Sequence, residues 1–353
     1  MVNALTEKAD QHGYESYRRM AFFTDTSVCI GCKACEVACK EWNRNPVEGY
    51  EVTGNSYDNT GSLGANTWRH VAFIEQNNER IEQAREEGRK LVSLGMPSVG
   101  AALDDAPDTT PPDTSDFRWL MSSDVCKHCT NAGCLDVCPT GALFRTEFGT
   151  VVVQDDVCNG CGTCVAGCPF GVIERRDDGG VTLKTDKTAT VDYEDYSHAG
   201  VNLLKKLRQL QPQGPDHTPG KPMPIHNMGV AQKCTMCYDR LKMGEQPACA
   251  KTCPTDSIQF GPYEEMLAAA KERVKVLHSQ GLTEARLYGA NSKDGVGGTG
   301  SIFLLLDSPE VYGLPPDPRV PTADLPQMYT TAAKAIGGMA LAVAGAFVLG
   351  GRK

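Results

Sequence analysis

Two compact α+β units, one inserted within the other and followed by a single apolar helix, are what this 353-residue chain predicts. Three observations carry that expectation. Sixteen cysteines fall into four short runs with none left over, strand-like segments lie beside the runs, and the stretch from Ala335 to Gly351 carries no charge. The length suits two or three domains rather than one.

The runs come first in the argument. They are Cys29, Cys32, Cys35 and Cys39; Cys126, Cys129, Cys134 and Cys138, followed by Pro139; Cys158, Cys161, Cys164 and Cys168; and Cys234, Cys237, Cys249 and Cys253, followed by Pro254. The first and third read C-x-x-C-x-x-C-x-x-x-C, and the second and fourth keep the opening C-x-x-C and closing C-x-x-x-C with a longer middle. This is the run of bacterial ferredoxins, in which four thiolates hold one [4Fe–4S] cluster and the fourth Cys of each run ligates the neighbouring cluster. Sixteen thiolates therefore predict four clusters. A cubane needs soft donors at separate corners; a short loop wraps three of them and a helix carries the fourth Cys away. Gly31, Gly160 and Gly162 let the backbone come close to an inorganic sulfide, and Pro after the last Cys suits a bend that needs no N–H. Disulfides fit poorly, because they belong to small scaffolds in oxidising compartments. Zinc ribbons use pairs of C-x-x-C and leave the third and fourth Cys of each run unexplained.

The second and third runs are joined by Ala142–Arg145 and Val151–Gln154 around Glu147-Phe148-Gly149, a hairpin pattern. Two runs and a hairpin are the two-cluster ferredoxin plan. Cys126, Cys129, Cys134 and Cys168 are then expected on one cluster, and Cys158, Cys161, Cys164 and Cys138 on its neighbour. The outer runs pair likewise: Cys29, Cys32, Cys35 with Cys253, and Cys234, Cys237, Cys249 with Cys39. The expected divisions are a ferredoxin-like unit of 21–45 plus 230–262, an insertion at 46–117, a second ferredoxin-like unit at 118–176, an insertion at 177–229, a helix/strand extension at 263–328 and a membrane helix at 329–351.

Taken in order, Met1–Met20 is polar, and no cleavable signal is expected. Arg18–Arg19 is a twin arginine, but Met20–Cys29 is too short and polar for a signal's apolar core. Ala21–Thr24 reads as a strand, and a helix with Val37 and Ala38 ends near Trp42. Trp68–Ile74 is strand-like, Glu79–Leu94 is a helix polar nearly all round and expected on the surface, and Pro97–Asp116 is a loop. Within 177–229, Asn202–Gln211 is weakly amphipathic; His198, His217 and His226 lack metal-ligand spacing. Ser257–Gly261 reads as a strand, and Tyr263–Gln280 as a helix with Met266, Ala270, Val274 and Leu277 on one face. Gly295–Gly300 is glycine-rich but precedes the strand Ile302–Leu306 rather than opening a helix, so it reads as a turn and not a phosphate loop. Leu314–Pro326 links to the tail. Ala332–Gly351 is long enough to span a bilayer, with Lys334 placed to snorkel and Gly338, Ala342 and Ala346 on one small-residue face. Arg352 and Lys353 favour a cytoplasmic C-terminus, which puts the cluster units on the outer, periplasmic face.

The net charge of −9 gives nucleic-acid binding no electrostatic support. Lys33, Lys40, Lys127, Lys233 and Lys251 near the runs either offset cluster charge or are solvated; Asp25, Glu41 and Asp239 read as structural. No catalytic residue is expected. The chemistry is electron transfer by the cofactor, with iron held through the sixteen Cys and the protein supplying ligands, insulation and tuning.

On Cys29–Asn43 (CIGCKACEVACKEWN), Cys126–Leu143, Cys158–Phe170 and Lys233–Gly261, with GVGG and Tyr312–Pro318 (YGLPPDP) continuing the match, the chain resembles the four-cluster iron–sulfur subunits that partner molybdopterin oxidoreductases. Within that family it is most similar to the β subunits of membrane-bound respiratory formate dehydrogenases. The resemblance implies a non-catalytic electron-transfer subunit. A separate α subunit oxidises formate on a molybdenum or tungsten bis-pterin, and electrons pass through four [4Fe–4S] clusters toward a cytochrome b γ subunit and quinone. Nitrate reductase β subunits, which the resemblance also brings in, replace one ligand Cys by Trp; here all sixteen are present. The alternatives are the same relay in another molybdopterin oxidoreductase or hydrogenase complex, and a zinc- or disulfide-stabilised interaction scaffold.

Overall fold

The computed structural model describes residues 18–46, 58, 60–93, 117–176 and 227–350. In chain order its elements are β1 (Met20–Asp25), α1 (Ala34–Asn43), β2 (Arg69–Asn77), α2 (Asn78–Ser93), β3 (Phe117–Val125), α3 (Gly133–Asp136), β4 (Leu143–Arg145) and β5 (Val151–Val153). They continue with α4 (Thr163–Ala166), β6 (Glu174–Arg175), β7 (Ala231–Gln232), α5 (Tyr238–Lys242), α6 (Ala248–Lys251), β8 (Ile258–Pro262), α7 (Tyr263–Ser279), β9 (Arg286–Tyr288), β10 (Ser301–Leu305) and α8 (Leu325–Gly350).

The main sheet has the order β8-β1-β10-β9. β1 is apolar on both faces, so it is buried on both, and it occupies a central position. It runs antiparallel to β8, with Phe22 opposite Phe260, and parallel to β10, with Phe23 opposite Ile302. β1 leads into the first cysteine run and β8 follows the fourth, so this pairing brings the two ends of the chain's cysteine set together, and α1 packs on α6. One face of the sheet is covered by α7, whose Ala270, Val274 and Leu277 recur at helical spacing and are buried. Every residue of β10 is buried. The extension expected after residue 263 thus supplies two strands and the covering helix to the sheet that carries the first run.

β2 and β3 form a separate antiparallel ribbon, in register from Arg69↔Val125 to Asn77↔Phe117. β2 outlasts the expected strand by three residues, and β3 and β9 had no clear periodic signal. The hairpin between the second and third runs is present as β4–β5, with Leu143 opposite Val153.

The expectation that the helix at 79–94, polar nearly all round, lies in solvent or against a partner is corrected by α2. Ile81 and Ala84 are buried, and a Cβ on Gly88 would stand 2.4 Å from the Thr283 backbone oxygen. Three small or branched residues at i, i+3 and i+7 make a seam too narrow to register against the surrounding Glu, Gln, Arg and Lys. Its flank is held by ion pairs, Arg80–Asp307 at 2.9 Å and Arg85–Glu284 at 3.8 Å, both to fully buried carboxylates. Leu94, the loop at 97–116, the Asn202–Gln211 segment and His198, His217 and His226 lie outside the described residues.

The C-terminal helix begins at Leu325, earlier than expected, because Pro326 is accommodated in its first turn, where no N–H bond is lost. Its span Gln327–Phe347 is long and apolar enough to cross a membrane, and none of it is buried against the body.

Phe303 carries no exposed surface. Phe303→Ala is expected to cost about 3–5 kcal/mol, read as a lowered thermal midpoint of the anaerobic, metal-loaded protein. Val276→Ala on the open face of α7 should stay within about 0.5 kcal/mol.

Candidate metal centres

Each run opens on the same backbone device. The residue two after the first Cys is left-handed in all four: Gly31 (φ 63°), His128 (φ 45°), Gly160 (φ 75°) and Met236 (φ 59°). This turns the peptide so that its N–H faces back toward the preceding sulfur. Gly160 N–H donates to Cys158 Sγ at 3.4 Å and Met236 N–H to Cys234 Sγ at 3.2 Å; Gly31 N–H likewise bonds Cys29. At Gly31 nothing larger fits, since a Cβ would lie 2.6 Å from Phe73 Cε1 and 2.8 Å from Met121 Sδ. At positions 128 and 236 a side chain is accepted at a cost of about 1–3 kcal/mol and used: Met236 fills the core, and His128 Nδ1 accepts from Val151 N–H at 3.1 Å.

The fold brings cysteines of different runs together. Cys29, Cys32 and Cys35 line an open-sided pocket with Cys253. Cys39, one helical turn beyond Cys35, has Cys234, Cys249 and Cys237 as its electrostatic neighbours. Cys129 faces Cys126, Cys134 and Cys168, and Cys164 faces Cys158, Cys138 and Cys161. Electrostatic neighbours also run between the sets: Cys35 with Cys249, Cys234 with Cys126, and Cys134 with Cys164.

Burial sets the chemistry of these thiols. It pushes Cys35, Cys134 and Cys237 up to about 12 and Cys164 up to about 11. Cys39, Cys129 and Cys234 are also raised, by burial first and then by the neighbouring cysteines. Cys138 goes the other way: despite partial desolvation, backbone N–H groups of Leu143, Thr140 and Ala142 and the Thr140 hydroxyl hold it below the ordinary thiol range. Crowded, raised thiols are released to thiolates only by cationic metal. All sixteen cysteines are free of disulfides. Among the described residues, no three Cys, His, Asp or Glu side chains converge closely enough to hold a single ion. Four thiols around an open pocket, and further groups of neighbouring thiols with amides donating to their sulfurs, fit multi-iron cubes.

The lysines near the runs divide. Lys127 and Lys233 are buried; Lys127 stands over Phe303 (4.7 Å) and pairs with Asp124, and Lys233 donates to the Val151 and Cys234 carbonyls. Lys33 pairs with Asp58 at 2.9 Å and Lys251 is exposed. Asp25 is structural, gripped by Arg273 at 2.8 Å, and exposed Asp239 accepts from Trp42 Nε1 at 2.8 Å; Glu41 is exposed.

Two features escaped the sequence reading. The glycine-rich turn before β10 is the backing of the second run. Thr130 N–H donates to Gly298 O at 2.9 Å, Asn131 N–H to Val296 O at 2.8 Å and Gly300 N–H to His128 O at 3.1 Å. Ser301 Oγ donates to Cys126 O at 2.9 Å. Arg69, a charge inside the strand-like segment, is fully buried among cysteines. Its period-two placement with buried Val71 was the available signal.

This is a multi-centre iron–sulfur electron carrier of ferredoxin type. Two 4Fe-4S dicluster domain models match the chain, one at residues 28–142 and the other at 117–205 and 217–263. The nitrate-inducible formate dehydrogenase iron-sulfur subunit of Escherichia coli K12 is 32% identical over 91% of this chain and 80% of its own length. The formate dehydrogenase iron-sulfur subunit of Haemophilus influenzae is 34% identical over 92% and 78%. A thiosulfate reductase electron transfer subunit of Salmonella typhi is 30% identical over 68% and 74%. The chain belongs to the formate dehydrogenase iron–sulfur subunit family, and its two dicluster domains carry four [4Fe–4S] clusters.

Anaerobically purified protein is expected to be brown, with about sixteen iron and sixteen acid-labile sulfide per chain, four of each per cluster. Metal analysis checks this; zinc in place of iron and sulfide would contradict it.

Proposed function

We propose that this chain is the electron relay between a molybdenum or tungsten bis-pterin formate dehydrogenase catalytic subunit and a membrane cytochrome b subunit that reduces quinone. The ligand sets are Cys29, Cys32, Cys35 and Cys253; Cys234, Cys237, Cys249 and Cys39; Cys126, Cys129, Cys134 and Cys168; and Cys158, Cys161, Cys164 and Cys138. Bound clusters supply one-electron transfer. The observation that carries the reading is that these sets adjoin in that order through Cys35 and Cys249, Cys234 and Cys126, and Cys134 and Cys164. The two outer runs form one ferredoxin-like unit and the two inner runs the other, one nested in the other; the β1–β8 pairing and the packing of α1 on α6 support this.

The ends of the relay differ. The segment leading to α8 is tied to α3, which carries Cys134 and ends two residues before Cys138: Thr322 Oγ1 donates to Asp136 Oδ2 at 2.9 Å, and Val320 Cγ1 stands 3.0 Å from a Cβ placed on Gly133. The helix therefore leaves the body beside the inner runs, which supports exit toward the membrane there. The first run lies at the other end and exposes Ile30 (57%) and Val37 (59%), apolar surface for the catalytic subunit to cover. α8 spans the membrane, and the cluster units stand on its outer face.

The test is formate-dependent viologen reduction by the complex captured anaerobically on this chain. Reduction ties the relay to formate; no reduction from a brown, iron-replete sample with its large subunit present moves it to another oxidoreductase. Cys161→Ala, in the last set, should abolish quinone reduction while viologen reduction, which drains the earlier sets, persists. Truncation after Asp324 should release the complex from membranes with viologen activity kept.

A further inference from the structure

We propose that Arg69 is a positioning residue for electron transfer that sets the potential of two adjacent clusters, those of the Cys35 set and of the Cys39, Cys234 and Cys249 set, by donating Nε–H and Nη2–H to their sulfurs. The inference rests on the ligand sets proposed above.

Arg69 is 1% exposed, yet its guanidinium is only partly satisfied. Nη1 donates to Ser123 O at 3.3 Å and to Ser123 Oγ at 3.0 Å. Nε and Nη2 have no partner among the described residues. A buried N–H without an acceptor costs about 1–3 kcal/mol, more when charged. Phe22 supports the plane from one side at 4.8 Å, so the fork is held in place. The groups that most favour its charge are Cys249, Cys35, Cys234 and Cys39, and together they outweigh the burial that opposes it. Ser123 extends the reach: its hydroxyl accepts from Arg69 and lies 3.2 Å from Cys35 Sγ, free to donate its own proton to that sulfur. Arg69 thus stands at the joint between two ligand sets, with two donors left over and a relay hydroxyl on one ligand. Donors and positive charge at cluster sulfurs favour the reduced, more negative state.

The experiment is an EPR-monitored redox titration of the wild-type complex, Arg69→Met, Arg69→Lys, Ser123→Ala and Arg176→Met. Arg176 is an equally interior arginine held by Asn45, Asn66 and Ala65 instead of by cysteines. In Arg69→Met, the reduced-to-oxidised ratio of two clusters at fixed poise should fall about tenfold, which for one electron is about 59 mV. The other two should stay put, Arg69→Lys should fall less, and Ser123→Ala should move one cluster. Unchanged potentials, a uniform shift of all four, or an equal shift in Arg176→Met would overturn the proposal. Pulsed EPR of wild-type protein labelled with ¹⁵N-arginine decides it if the variants do not assemble: guanidinium nitrogen coupling to reduced clusters supports it, and no coupling overturns it. Wild-type protein without four clusters would instead overturn the ligand sets.

Discussion

Sixteen thiols in and around one interior are the constraint on which the rest of this structure depends. Burial, with mutual crowding, raises nine of them above the range in which a thiol ionises on its own. Among the described residues few buried cations stand near them: Arg69, Lys127, Lys233 and Arg240. Such an interior is not self-sufficient. Iron supplies the missing positive charge, and the binding energy of the metal is then part of the folding energy. The short helices α3, α4 and α6 make the same point. Each has four residues, far below what is stable alone, and each carries or adjoins ligand cysteines.

Where the metal does not hold the backbone, the protein does, and it does so differently in the two kinds of run. In the first and third, glycine takes the left-handed position without strain. In the second and fourth, His128 and Met236 take it, and their side chains then serve as struts. The second run has the most support: the glycine turn before β10, Arg145 bonded to the Cys129 and Thr130 carbonyls at 2.7 and 2.8 Å, and Ser301 on Cys126. The long middle of that run, with four residues between Cys129 and Cys134, explains the need. It lacks the tight C-x-x-C-x-x-C wrap and must be braced from outside.

What could be read in the sequence follows from this division. The cysteine spacing is a local signal and exposed the cofactor, the four runs and the roles of Gly31, Gly160 and Gly162. The hairpin, β1, α1 and α7 were legible because turn residues and periodicity are local too. The glycine turn was legible as a turn but not as a brace, since its carbonyls act on residues some 170 positions earlier. Arg69 was hidden for a related reason: a lone charge in a strand reads as solvent-facing until the partner cysteines, from runs on both sides of it, are brought to it. α2 was misjudged because its buried seam is made of Ile81, Ala84 and Gly88, which weigh little on any hydropathy scale.

The proposed nested connectivity has a consequence for the relay. In a simple tandem, the joint between two cluster pairs would be crossed by a single linker. Here the middle joint, between Cys234 and Cys126, is crossed by elements from several parts of the chain. Lys233 reaches from beside Cys234 to the Val151 carbonyl of the inner hairpin, Ser301 of β10 holds the Cys126 carbonyl, and β3 feeds Cys126 directly. β10 is at the same time hydrogen-bonded to β1, which leads to the first run. The spacing between the proposed pairs is therefore set by sheet and core rather than by a tether. That is what a relay requires, because transfer between centres falls off steeply with distance and a flexible joint would make the middle step the slow one. The cost is that both pairs lean on the extension beyond residue 263. The central sheet is complete only when β10 has arrived, and the second run is braced only by the turn that precedes it.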